Sequence, residues 1–331
     1  MIAFDRWGTV TAGSNGHPGW EAIALPGIVC VHGIGQQLKG QETIRAEWSS
    51  RLRDGARLAA SGLAGTEVAE RLSDTDTDIG FAFYGDAFRQ PGQTLGVGDP
   101  LPTAADLTEY ERELLSEWWR VAAETDPAVV RADERTLVRA PRAVQTALRV
   151  LSGSAFFAGL SERAMIGNLV QVRRYFTEPQ TRAAIQQRVA DSVDGGTRVI
   201  VAHSLGSVIA YEALCAHPEW PVRALVTLGS PLGVPNLIFD RLRPAPVAAA
   251  DGRRRGAWPG SVSAWANVAD AGDVVALVKD LRPLFGPRVV SSIVHNGAKA
   301  HDVRPYLTAP ETGRGILAGL VDDVPESDHG G

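Results

Sequence analysis

Short, continuously apolar runs alternate along this chain with longer stretches whose apolar residues recur every three or four positions. The first run is GIVCVHG, Gly27–Gly33. A strand that is apolar on both faces belongs in a parallel sheet covered by helices on either side. Runs of the same kind follow at DIGFAFYGD (Asp78–Asp86), TRVIVAHS (Thr197–Ser204), VRALVTLGSP (Val222–Pro231), VSAWANVAD (Val262–Asp270) and RVVSSIVHN (Arg288–Asn296). The first helical pattern, QETIRAEWSSRLRDGARLAAS, keeps Ile44, Trp48, Leu52, Ala56 and Ala59 on roughly one face. Strands alternating with helices predict an α/β fold, a mostly parallel central sheet flanked by helices.

Between Leu107 and Val193 the strand signal disappears. LTEYERELLSEWWRVAAE reads as a helix opened by a capping box of Thr108 and Glu111. RAVQTALRVL, SERAMIGNLVQVRRYF and PQTRAAIQQRVADSV read as three more, the last with Pro179 in its first turn. This is more helix than one crossover needs. The mainly helical segment, residues 87–193, is therefore expected to include a cap or lid inserted into a single domain spanning residues 1–331. Its most apolar part offers Phe156, Phe157, Leu160 and Met165, followed by Ile166 and Leu169. These side chains either line a pocket for an acyl chain or form the seam between the helices and the core, the commoner use of an apolar stripe. The Arg241–Ser261 stretch, rich in Pro, Gly and Arg, reads as a surface loop whose run Arg253–Arg255 is a solvated face, and the tail from Val324 is expected to fray.

Composition narrows the function classes. The chain has 331 residues, 44% hydrophobic and 21% charged, which is enough for a sizeable core without staples. A net charge of -5 gives no basic surface for nucleic acid, and none is expected as a partner. Cys30 and Cys215 fall in apolar patterns and read as small buried hydrophobes rather than a disulfide. The N-terminal stretch lacks the look of a signal peptide and no apolar run is long enough to span a membrane, so the expected location is the cytoplasm. No metal-ligand spacing or phosphate loop is present, and no cofactor or metal is expected. GSPLG, Gly229–Gly233, lacks the lysine of such a loop and reads as a turn shaping a pocket wall.

An open α/β sheet places its chemistry at the carboxyl ends of its strands. Three of those ends carry suggestive residues here: Ser204 after VIVAH, Asp270 and Asp273 after WANV, and His295 and His301 after SSIV. VAHSLGS nearly fits the Gly-x-Ser-x-Gly elbow, with Ala202 in the first glycine position and Gly206 in the second. The alternative for Ser204 is a plain helix cap. Together with VHGIGQQ, ADAGDVVAL and KAHDVRPYL, this order of Ser, Asp, His resembles the α/β-hydrolase superfamily. More narrowly, it resembles bacterial lipases and esterases whose first strand ends in His-Gly-x-Gly. The resemblance runs from about Gly27 to Leu320 and is weak through the helical segment.

The resemblance implies an α/β-hydrolase fold with a Ser–His–acid triad. Ser204 would be the nucleophile, His301 the base and Asp273 the acid, with Asp270 the fallback acid. The backbone N–H groups of Ile34 and Leu205 would form the oxyanion hole. His32 would brace the loop, His203 would be structural or line the site, and His295 would be a structural histidine. The expected reaction is cleavage of a carboxylic ester in a small acyl substrate through an acyl-enzyme. The same triad also serves acyltransferases, cyclases, thioesterases and amidases, and a hydrolase fold can serve as a non-catalytic binding module. The oligomeric state is left open.

Overall fold

The computed structural model of the chain describes residues 27–37, 39–60, 79–88, 103–127, 129, 141–154, 161–297 and 299–320. Its centre is a sheet of strands β1 (Gly27–Val31), β2 (Ile79–Ala82), β3 (Thr197–His203), β4 (Ala224–Leu228), β7 (Ala264–Asp270) and β8 (Val289–Val294). They lie in the order β2-β1-β3-β4-β7-β8, and every pairing is parallel. The remaining pair, β5 (Val247–Ala248) and β6 (Arg254–Arg255), forms a small antiparallel ladder. The path through the described strands runs from β1, in the interior of the sheet, outward to β2, then back past β1 to β3. The direction of winding reverses between β1 and β3, and open α/β sheets form their clefts at such a switch point.

Successive residues of a strand face opposite sides, so the apolar runs feed two cores. Ile28, Cys30, Val199, Val201, Ala224 and Val226 face one of them. Helices α1 (Gln41–Ala60), α8 (Val303–Thr308) and α9 (Pro310–Leu320) cover that side. The helical stripe on α1 is the one its sequence shows: Ile44, Trp48, Leu52, Ala56 and Ala59 are all buried. On the other side Val29, Val31, Ile200, Ala202 and Leu225 belong to one cluster with α6 (Leu205–Ala216), the short α7 (Arg282–Phe285) and the helical segment. Each Val, Leu or Ile side chain among them taken fully out of water contributes roughly 1.5–3 kcal/mol.

The described helices of that segment are α2 (Glu109–Thr125), α3 (Pro141–Gly153), α4 (Glu162–Thr177) and α5 (Pro179–Ala190). Their buried residues, among them Leu114, Trp118, Leu148, Leu169 and Ile185, belong to the same apolar cluster as the sheet face. The capping box opens α2: the Thr108 N–H and hydroxyl both donate to Glu111 Oε2, at 2.6 and 2.7 Å. Glu111 is buried, and its other oxygen accepts from Arg173 Nε of α4 at 2.8 Å. One glutamate thus starts one helix and ties it to another. Pro179 opens α5 as its missing N–H favours.

Two expectations change. The run Asp78–Asp86 is strand only as far as Ala82, because β1 ends at Val31, the partner of Ala82, and a short helical turn follows at Gly85–Phe88. Within the Arg241–Ser261 stretch the β5–β6 ladder stands out to solvent, with Arg254 paired to Asp240 and Arg255 to Asp251. Cys30 is buried and Cys215 half-buried, and both are free thiols. Among the described residues no helix is long and apolar enough to cross a membrane. The tail from Val324, with Phe156, Phe157 and Leu160, lies outside the described residues.

Candidate functional site

Ser204 stands between β3 and α6 with φ 53° and ψ -131°, a backbone conformation that a residue with a Cβ rarely adopts. Its backbone is held on both sides: Ser204 N–H donates to Leu228 O at 3.0 Å, and Ser204 O accepts from Ser207 N at 2.9 Å and Ser207 Oγ at 2.6 Å. It occupies the N-cap position of α6, yet its side chain makes no capping hydrogen bond. Oγ lies 3.0 Å from His301 Nε2. The helix-cap alternative is therefore not what this serine does.

The tightness of the turn explains the small residues around it. A Cβ on Gly206 would stand 2.3 Å from His32 O and 2.5 Å from Val31 O, so α6 could not start this close to β1 with any larger residue there. Ala202 is accommodated because it lies within β3, fully buried and paired with Val31 and Thr227. Its extra methyl packs into the sheet face rather than into the turn.

His301 follows β8 and precedes α8. Its Nδ1–H donates to Asp273 Oδ2 at 2.8 Å. That leaves Nε2 as the acceptor facing Ser204. Asp273 is wholly buried beyond β7 and fully used: Oδ1 accepts from the N–H groups of Val275 and Ala276, at 2.9 and 3.3 Å, and Oδ2 also accepts the Tyr306 hydroxyl at 2.8 Å. Burial works against its charge, but His301, Lys279 and the Tyr306 hydroxyl outweigh it and hold the carboxyl at about 2. A carboxylate in this state orients the imidazole and stabilises its protonated form.

Asp270 does not reach His301. Its carboxylate accepts Gly272 N–H at 2.7 Å and the Asn296 N–H, which fixes the turns after β7 and β8. His295 lies just past β8 and is exposed. His203 is buried beside the site with its ring centre 4.7 Å from that of His301, and its Nε2–H donates to His301 O at 3.2 Å. Burial, reinforced by His301, lowers His203 to about 3, so it is a neutral brace for the loop that carries His301.

His32 braces the turn after β1. Its Nδ1–H donates to Gly33 O at 2.6 Å, while Nε2 accepts Tyr84 N–H at 3.1 Å. Burial lowers it to about 4, in keeping with this neutral tautomer. Gly33 packs directly on the serine, since a Cβ there would stand 2.8 Å from Ser204 Cβ. Ile34 comes next and lines the cavity. Leu205 is the first residue of α6, so its N–H has no acceptor within the helix. Ile34 follows β1 and Leu205 follows β3, so the two residues stand on either side of the switch point.

The cavity at Ser204 has a volume of about 600 Å³. Trp118 and Asn168 of the helical segment, Trp48 of α1 and Val275 contribute apolar and polar wall, and Lys39 and Lys299 stand among its lining residues. Met165 is not in that wall. It is fully buried with Leu169 and Val172 on the core face of α4, so the apolar stripe forms the seam there. The GSPLG turn reaches the site from behind. Gly229, at φ 52°, lies against Asp273 and His301, where a Cβ would stand 2.7 Å from Asp273 Oδ2 and 3.2 Å from His301 Nδ1. Ser230 Oγ meets Ser207 Oγ at 2.6 Å.

Sequence reasoning overlooked Tyr306 and Gln171. Tyr306 stands in HDVRPYL, five positions after His301, but its contact with Asp273 spans 33 residues and no local pattern announces it. Gln171 is hidden in the apolar run NLVQV of α4. No group of three or more His, Cys, Asp or Glu that could hold a metal occurs among the described residues. A comparison of the chain with protein-family models finds no match, and a comparison with curated proteins finds none either.

Proposed function

We propose that this chain is a serine hydrolase of the α/β-hydrolase type that cleaves a carboxylic ester through an acyl-enzyme, with the helical segment as a cap over the site. One observation carries the reading: Ser204 Oγ, His301 and Asp273 form a continuous hydrogen-bonded chain, at 3.0 and 2.8 Å, with the serine in a strained turn. A neutral hydroxyl is a weak nucleophile and needs a base in hydrogen-bond reach, itself oriented by a third group.

In this mechanism Ser204 Oγ attacks the acyl carbonyl as His301 Nε2 takes its proton. Asp273 holds the imidazolium. The N–H groups of Ile34 and Leu205 receive the charge on the carbonyl oxygen, where each such donor is worth roughly 10²–10³ in rate. His301 then protonates the leaving alcohol, and the C–O bond breaks to give the acyl-serine. Water, deprotonated by His301, attacks that ester, and the proton returns to Ser204. The mixed wall of the cavity suits a small acyl group joined to a polar part.

The test is covalent. A fluorophosphonate probe should phosphonylate Ser204, located by mass spectrometry of the digested protein, and Ser204→Ala should abolish the adduct. An unlabelled wild type, beside a labelled control esterase, would sink the proposal and leave the fold as a binding module. A chain-length series of p-nitrophenyl esters, run with and without added alcohols and amines, separates hydrolysis from acyl transfer.

A further inference from the structure

We infer that Gln171 of α4 is a positioning residue that sets the turn carrying the Ile34 N–H, so that the site is complete only while the helical segment is docked. The inference rests on the proposed reading of Ile34 as an oxyanion donor and adds a component of that site from a different part of the chain.

A peptide unit is planar and trans, so fixing its carbonyl also fixes the N–H on its other side. Two such units meet at the Cα of Ile34. The first joins Gly33 to Ile34. Its carbonyl, Gly33 O, is pinned by His32 Nδ1–H at 2.6 Å, and the Ile34 N–H therefore points the opposite way. The second joins Ile34 to Gly35. Its N–H, that of Gly35, donates to Gln171 Oε1 at 3.1 Å. With both units held, Ile34 has little freedom to rotate its amide away. One pin comes from the sheet, through β1. The other comes from the helical segment.

The surroundings of Gln171 fit this role. It is buried, on an amphipathic helix whose neighbouring face holds Met165, Leu169 and Val172 in the core. A buried amide is costly unless both its ends are satisfied. Here Oε1 accepts from Gly35, and Nε2 donates to Gln37 Oε1 at 3.0 Å, so both bonds run to the same turn. Gly35 has φ 78°, and a Cβ on it would stand 3.1 Å from Asn168 Oδ1, one helical turn before Gln171. The turn is moulded onto this face of α4.

The decisive variants are Gln171→Met, which keeps the length and loses the acceptor, and Gln171→Glu, which keeps the acceptor. The readout is the rate of fluorophosphonate labelling of Ser204, together with kcat and KM for a p-nitrophenyl ester. Gln171→Met should label about 10- to 100-fold more slowly, part of the loss that follows complete removal of an oxyanion donor. That loss should fall on kcat, with KM within about threefold. Gln171→Glu should stay within about threefold of wild type in both. Equal labelling by the Met variant, or a loss confined to KM, overturns the inference. Should the Met variant not fold, hydrogen exchange of the Gly35 amide in the wild-type protein decides. Protection that is lost together with that of α4 supports the clamp, and exchange at the rate of a free amide refutes it. A wild type that keeps Gly35 protected but never labels at Ser204 would remove the hydrolase reading and leave the contact standing.

Discussion

The hydroxyl of Tyr306 lies 2.8 Å from Oδ2 of Asp273, the same oxygen that accepts His301 Nδ1–H. The tyrosine oxygen accepts Asp270 N–H at 2.7 Å, so one phenol joins the end of β7 to the carboxylate bonded to His301. Burial and the adjacent Asp273 push this phenol far above its ordinary range, and it remains a donor at every working pH. Tyr306→Phe removes a donor from Asp273 and leaves the Asp270 N–H without its acceptor. Stability should fall by about 1–3 kcal/mol, read from denaturant unfolding. With one donor fewer, the carboxylate holds the imidazolium more strongly, so the acid limb of the kcat/KM profile should move to higher pH. A profile unmoved by the substitution would assign Tyr306 to packing alone.

Gly229 supplies the room behind that pair. At φ 52°, an alanine there carries a left-handed penalty of roughly 1–2 kcal/mol, and its methyl would meet Asp273 Oδ2 at 2.7 Å. Gly229→Ala should lower the unfolding midpoint and, by displacing the Asp273–His301 pair, cut kcat at least tenfold. Gly167 is the contrast. It lies in α4, and a Cβ there would meet nothing within 4 Å among the described residues. Gly167→Ala should raise stability by about 0.5–1 kcal/mol through helix propensity and leave Ser204 labelling unchanged.

Stability should decline as the solution is acidified below neutrality. His203 and His32 are held neutral by burial, at about 3 and about 4 against an ordinary 6.5. Groups lowered in the folded state contribute stability that is fully present above the unfolded value and is lost as pH falls towards the folded one. Between pH 6.5 and about 4 each should cost on the order of 1 kcal/mol per pH unit. Asp273, at about 2 against 3.8, adds a loss in the same direction below about pH 4. Urea unfolding from pH 7 to pH 4 measures the slope, and His203→Asn should flatten it. A slope identical in wild type and variant would show that His203 is not buried as a neutral ring.

Much of the architecture is legible without coordinates because it follows from local periodicity. The doubly apolar runs required a sheet covered on both faces, and the alternation of Val199, Val201 against Ile200, Ala202 feeds the two cores directly. The stripe of α1, the capping box of Thr108 and Glu111, and Pro179 at the start of α5 are short-range physics and stand where their spacing put them. Strand ends were less legible. Ala82 ends β2 because Val31 ends β1, and a neighbour's length is not written in a strand's own residues.

The sequence by itself determined which residues could meet: Ser204, Asp273 and His301 follow three different strands, and a parallel sheet brings all such ends to one edge. Tertiary structure decided which of them do. Asp273 rather than Asp270 reaches His301, because Asp270 is spent on the N–H groups of Gly272 and Asn296. Met165 goes to the seam and Gln171 to the turn, although both stand in one apolar-looking stretch of α4, because a helix assigns its faces only when something packs against each. Tyr306 and Gln171 act through contacts far apart in the chain, and such contacts leave no mark on the local pattern that sequence reading depends on.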